Sequence, residues 1–198
     1  IQTTDTKLKI VSREATLPSG ATIRLASMCK GAAMIGPNMA TMLATILTDA
    51  ALEPQDAQNA LRDAVEDTFN CVSVEGHTST SDTCVLVANG AASPEPLKGA
   101  DLEAFSALLL DLCQELAPMI PNDGEGVTHL ITIDVTGAPD RASAKLLAQT
   151  VANDATQGTP ATYTTDGVKL DTDSPDYARF ILHIQFLLQR LVSKTMLR

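Results

Sequence analysis

Aromatic residues are scarce. Phe, Trp and Tyr make up 3% of the 198 residues, which leaves little stacking surface for nucleobases. Positive charge is scarce too: 14 Lys and Arg stand against 24 Asp and Glu, a formal net charge of −10. Such a chain lacks the electrostatic footprint of a nucleic-acid binder, and anionic membranes repel it. There is no CxxC pair, and Cys29, Cys71, Cys84 and Cys113 lie far apart in apolar runs. They read as buried free thiols of a reducing compartment. His77, His129 and His183 are also dispersed, so no metal site is expected. The longest apolar stretch, near Phe180 to Val192, is broken by His183, Gln185, Gln189 and Arg190, and is not expected to span a bilayer. No basic-then-apolar leader precedes the first strand. GxSxG, Walker A, GxGxxG and HExxH motifs are absent.

What is present suits a globular chain: 44% hydrophobic and 19% charged residues. Lys7 to Ser12 and Ala21 to Met28 read as a hairpin around the turn Leu17-Pro18-Ser19-Gly20. Thr41 to Thr48, Cys71 to Glu75, Thr83 to Ala88 and Thr128 to Val135 read as further strands. Helices are expected over Pro54 to Asn70, Asp101 to Ala117 and Asp140 to Asn153, each with an apolar face or helical composition. This alternation predicts an α/β fold with helices packed on a mixed sheet. Residues 155–176 read as a long loop. Arg179 to Arg198, with Arg179, Arg190, Lys194 and Arg198 and no acidic residue, reads as a cationic amphipathic helix.

Two glycine-flanked polar segments stand out. One runs from Lys30-Gly31 to Pro37-Asn38-Met39-Ala40-Thr41, and the other is Asp123-Gly124-Glu125-Gly126. Glycine lets the backbone approach a ligand closely. Lys30 can serve a substrate carboxylate or stand as a solvated loop cation. Glu125 is either a site residue or an exposed turn carboxylate. Thr41 is either an ordinary strand threonine or a nucleophile. An N-terminal threonine carries its own base, an α-amino group of pKa about 7.7–8.0. Thr78, Ser79, Thr80 and Asp82 read as turn formers.

The segments TTDT (Thr3 to Thr6), KGAAMIGPNMATML (Lys30 to Leu43), VEGHTSTSDT (Val74 to Thr83) and DGEGVT (Asp123 to Thr128) occur in this order. Together they resemble the glutamate N-acetyltransferase (ornithine acetyltransferase) family of arginine biosynthesis, over about Ile1 to Asn153. The resemblance implies an α/β sandwich of mixed sheet and helices, of the self-processing N-terminal-nucleophile type. It implies autocleavage between Ala40 and Thr41, with Thr41 as the nucleophile of the new β-chain. Acetyl then moves from N-acetylornithine to glutamate through an acetyl-threonine intermediate. Thr3, Lys30, Thr41 and Glu125 contact substrate by the same carry-over. No cofactor is implied, though acetyl-CoA is a co-substrate in some members. The family implies a heterotetramer of two α- and two β-chains, and a cytoplasmic location is expected for this chain.

On this reading, residues 1–40 end an α-chain, 41–153 begin a β-chain, and 154–198 form a divergent tail. Ile1 is expected to lie inside a family α-chain. The family's upstream Thr-Gly oxyanion pair and its downstream DPNWGR-like segment have no counterpart in the sequence. A truncated or frameshifted non-catalytic remnant is therefore the alternative expectation. His77 and Ser81 also depart from the family's GDTSTND loop.

Overall fold

The computed structural model describes residues 1–33, 35, 42–74, 82–127, 129–136, 138–156 and 178–184, with backbone alone at 129, 153–156 and 178–184. The N-terminal hairpin forms as its alternation requires. Strand β1 (Lys9–Thr16) pairs antiparallel with β2 (Thr22–Lys30), from Lys9 opposite Cys29 to Thr16 opposite Thr22. At the turn, the Leu17 N–H donates to the Ala21 carbonyl and the Gly20 N–H to the Leu17 carbonyl, both at 2.8 Å. Gly20 sits at φ +91, a conformation that a side chain makes costly.

Strand β3 (Leu43–Thr48) adds antiparallel to β2, and strand β5 (Thr83–Ala88) adds parallel to β3. A parallel pair needs a crossover. Helix α1 (Pro54–Glu66) lies within it, with Pro54 in its first turn, where a missing N–H costs nothing. The first sheet thus has the order β1-β2-β3-β5. Helix α2 (Ala100–Leu116) packs against it and α1, with Phe105, Leu109, Leu112 and Leu116 fully buried at helical spacing. On the sheet's side of this core lie Ile23, Leu25 and Ile46, also fully buried. Arg13 of β1 reaches Asp111 and Glu115 of α2 and holds helix to strand. By length and composition Ala100–Asp123 could cross a membrane. Its buried leucines and Phe105 account for that apolarity as core packing.

The other face of this sheet stays open among the described residues. Ile10, Met28, Leu43, Leu47, Val85 and Val87 alternate onto it and are 41–57% exposed.

A second sheet has the order β4-β7-β6, from β4 (Val72–Ser73), β6 (His129–Val135) and β7 (Ala178–Ile184). Helix α3 (Arg141–Thr156) covers it with Ala144, Ala148 and Ala152, all fully buried. Arg141 pairs with Asp67 at 2.6 Å, and Lys145 pairs with Glu66, joining α3 to the end of α1.

Strand β7 corrects one expectation. Ala178–Ile184 opens the stretch read as a cationic helix, yet it pairs antiparallel with β6 and parallel with β4. The cationic composition of the longer segment masked a seven-residue run rich in strand formers, including Phe180, Ile181 and Ile184. A central place between two strands satisfies its backbone on both sides. The rest of that helix, residues 185–198, and most of the loop 155–176 lie outside the described residues. Smaller differences concern ends: α1 stops at Glu66 and a 3₁₀ turn, Phe69–Cys71, takes over. The four cysteines are free, as their spacing suggested.

Candidate functional site

The site grows from the segment before β1. Asp5 and Asp123 converge on the Lys9 ammonium, each with a carboxylate oxygen 2.6 Å from Nζ, and all three side chains are 1–2% exposed. Both carboxylates collect further donors. Asp5 accepts the Gly31 N–H at 2.7 Å and the Thr3 N–H at 3.2 Å. Asp123 accepts the backbone N–H groups of Thr6 at 3.0 Å and Lys7 at 3.2 Å, and the Thr6 hydroxyl. Burial pushes the Asp5 carboxyl up, but the bonds from Lys9, Gly31 and Thr3 outweigh it and hold it down at about 2. Asp123 is held below its ordinary value by the same balance of burial against Lys9, Thr6 and Lys7. Lys9 is raised: burial opposes its charge, and its two carboxylate partners more than restore it.

Lys30 ends β2, opposite Leu43 of β3. The solvated-loop reading is therefore overturned, because Lys30 is only 6% exposed. Strand pairing carries it into the sheet, where its alternation follows Met28 rather than Lys9. It forms no salt bridge among the described residues. An ammonium buried without such a partner is costly, and an anionic ligand would relieve it. Gly31 then turns the chain at φ +148, in a region that favours glycine.

Glu125 is exposed in its turn. Its N–H donates to the Ala32 carbonyl at 2.8 Å, which docks the Asp123–Gly126 loop beside the Lys30-Gly31 turn. Thr3 is exposed and tied to Asp5 through its backbone. So Thr3, Lys30 and Glu125 each stand within two residues of one linked set of bonds. Ala40 and Thr41 lie outside the described residues, as do His77, Thr78, Ser79, Thr80 and Ser81. The residue after Thr41 is described. The Met42 N–H donates to Asp82 Oδ1 at 2.7 Å, and the Met42 carbonyl accepts the Thr83 N–H at 3.0 Å. Burial raises the Asp82 carboxyl, only partly offset by the Met42 bond and the positive charge of Lys30.

No motif in the sequence marks Lys9, and Asp82 lies in a segment whose composition suggests only a turn. The signal for Lys9 is a lysine on the inward side of β1, in phase with Val11. Asp5 and Asp123 lie within the TTDT and DGEGVT segments, and only the structure gives them a role. Among the described residues no group of three His, Cys, Asp or Glu side chains could hold a metal. A groove of about 370 Å³ between α1 and α2, lined by Asp56, Asp63, Asp67 and Leu102 among others, involves none of the site residues.

Comparison with known proteins gives these residues a context. The ArgJ family model matches residues 1–167, a span that runs past Asn153. The arginine biosynthesis bifunctional protein ArgJ, mitochondrial, of Penicillium rubens is 45% identical over 160 residues, covering 77% of this chain and 33% of its own length. The protein of the same name from Aspergillus clavatus is 46% identical over 157 residues, covering 77% and 35%. The chain thus spans about a third of the length of the curated relatives it matches. A crystal structure of the arginine biosynthesis bifunctional protein argJ from Bacillus halodurans matches with a TM-score of 0.51 and 37% identity, covering 56% of this chain and 52% of that one. With a family model over most of its length and relatives near 45% identity, the chain belongs to the ArgJ family.

Proposed function

We propose that this chain carries the acyl-transfer machinery of an arginine-biosynthesis acetyltransferase, moving acetyl from N-acetylornithine to glutamate. The supporting observation is the buried Lys30 opposite Leu43, two residues from Thr41, with no salt bridge among the described residues. On this reading a substrate α-carboxylate supplies the anionic partner of Lys30.

The chemistry needs two stages. In the first, Thr41 Oγ1 attacks the Ala40 carbonyl, the Ala40–Thr41 C–N bond breaks, and the freed α-amino group takes the hydroxyl proton. Water then hydrolyses the ester and leaves Thr41 N-terminal. In the second, Thr41 Oγ1 attacks the acetyl carbonyl of N-acetylornithine, its proton passes through the α-amino group to the departing ornithine amine, and acetyl-Thr41 forms. The glutamate amine attacks that ester and restores the hydroxyl. Thr3 and Glu125 complete the substrate contacts, with Glu125 suited to the ornithine amine.

Residues 1–40 and 41–153 are on this reading the end of an α-chain and the start of a β-chain, in an assembly of two of each. No cofactor is required, and acetyl-CoA is a second acetyl donor to be tested beside N-acetylornithine. A cytoplasmic site is proposed as well. The fungal relatives carry "mitochondrial" in their names, so fractionation of the source cells decides between the compartments.

Intact mass spectrometry tests the first stage: wild type resolves into two pieces divided at Ala40–Thr41, and Thr41→Ala stays whole. A wild-type chain that remains whole overturns self-processing. Transfer of labelled acetyl from N-acetylornithine to glutamate, through a labelled Thr41 peptide, tests the second.

A further inference from the structure

We infer that the buried Asp5–Lys9–Asp123 cluster is the positioning core of the substrate site, and that Asp5 links it to the Lys30-Gly31 turn through the Gly31 N–H. This inference rests on the proposed acetyl-transfer reading for its function, but not for its geometry. One carboxylate, Asp5, holds both the N–H of Thr3 and the N–H of Gly31, the residue after Lys30. The other, Asp123, lies two residues before Glu125, whose own N–H is bonded to Ala32, two residues after Lys30. Lys9 joins the two carboxylates at 2.6 Å on each side. Three segments far apart in sequence are therefore tied together by one ammonium and its two carboxylates: the N-terminal strap, the end of β2 through Gly31, and the loop after α2.

Burial makes this junction stiff. The three side chains are almost wholly shielded from water, and every bond in the cluster has a charged partner, which strengthens and shortens it. Charged groups that cannot be rehydrated hold their partners in one geometry, because any slippage exposes an unpaired charge. Neither Asp5, Lys9 nor Asp123 need touch substrate. They fix the backbone from which Thr3, Lys30 and Glu125 project. Small misplacements of such groups are enough to weaken productive binding.

The test compares Asp5→Ala and Asp5→Asn with Leu109→Ala, a cavity at a fully buried α2 leucine that makes none of the cluster's hydrogen bonds, in the full chain. Amide hydrogen exchange and glutamate affinity are both measured. In Asp5→Ala, exchange at Gly31 should rise about tenfold or more, with a smaller rise at Glu125, while Leu17 and Gly20 at the far hairpin turn keep their protection. Glutamate Kd should rise about tenfold in Asp5→Ala, less in Asp5→Asn, which keeps one acceptor oxygen, and less than about twofold in Leu109→Ala.

The proposal is overturned if Gly31 exchange is unchanged in Asp5→Ala. It is also overturned if all amides lose protection together, or if Leu109→Ala weakens glutamate binding as much as Asp5→Ala. Should Asp5→Ala not fold, Asp5→Asn carries the same comparison. Should the wild-type chain fail to bind glutamate, the acetyl-transfer reading fails, and the positioning claim is decided by the Gly31 and Glu125 exchange alone.

Discussion

Two lysines sit one strand apart and are both buried, yet they live in opposite electrostatic regions. Lys9, on the helix-covered side of the first sheet, has two carboxylates at 2.6 Å. Lys30, at the end of β2, has no salt bridge among the described residues and only a more remote carboxyl, that of Asp82, sensing its charge. The first charge is compensated from within the chain and serves architecture. The second has no such pair among the described residues, and on the proposed function it meets a substrate carboxylate. Burial by itself does not mark a functional lysine; the balance of partners around it does.

The strongest way to break this comparison is to remove each charge in turn. Lys9→Met strands two buried carboxylates against each other and should cost about 3–5 kcal/mol in denaturant unfolding. Lys30→Met removes an ammonium with no salt bridge among the described residues, so unfolding should change by less than about 1.5 kcal/mol. Similar large losses in both variants would dissolve the distinction. In binding the order should reverse, with Lys30→Met weakening glutamate about tenfold or more through loss of a charge-assisted bond.

Acid titration sharpens the same point. The folded values of Asp5 and Asp123 lie below their ordinary ones, so their stabilisation is complete above about pH 4 to 5. It should disappear as pH falls from roughly 4 toward 2, the range in which Asp5 takes up its proton. The raised Lys9 contributes at every pH below its ordinary value of 10.5, and its share is lost only as pH climbs through the folded value above that. Thermal melts across both ranges check the signs. A Lys9→Met/Asp5→Asn/Asp123→Asn variant should flatten the acid limb.

Asp82 is expected to give a smaller effect. Its carboxyl is raised by burial, so ionisation near neutral pH works against the fold. Asp82→Asn keeps an acceptor for the Met42 N–H and should melt close to wild type at pH 7, whereas Asp82→Ala loses the acceptor and about 1–2 kcal/mol. The smallest expected signal is chemical. Burial pushes the Cys29 and Cys113 thiols up to about 12, and those of Cys71 and Cys84 to about 11. A thiol reagent at pH 8 should therefore leave the native protein almost unlabelled and react only after unfolding.

Local order was largely legible from residue types. The hairpin, the crossover helix with its early proline, and the apolar stripe of α2 follow from alternation, turn residues and helical period. Strand β7 was not, because its partners lie more than forty residues away in β6 and 109 residues away in β4. The motif around Lys30 and Glu125 was visible as glycine-flanked charge, but its burial state was not. Lys30 and Glu125 looked alike, and the fold buries one and exposes the other.

The sequence by itself determined the class of the fold, the reduced state expected of its cysteines, and the family motifs, since these rest on composition and short-range pattern. Only the tertiary structure decided that Lys9 is neutralised by two carboxylates while Lys30 has no salt bridge among the described residues. That answer depends on carboxylates 4 residues away at Asp5 and 114 away at Asp123, brought together by the packing of β1 against the end of α2. Charge compensation is a property of distances in space, and no local pattern in the chain encodes it.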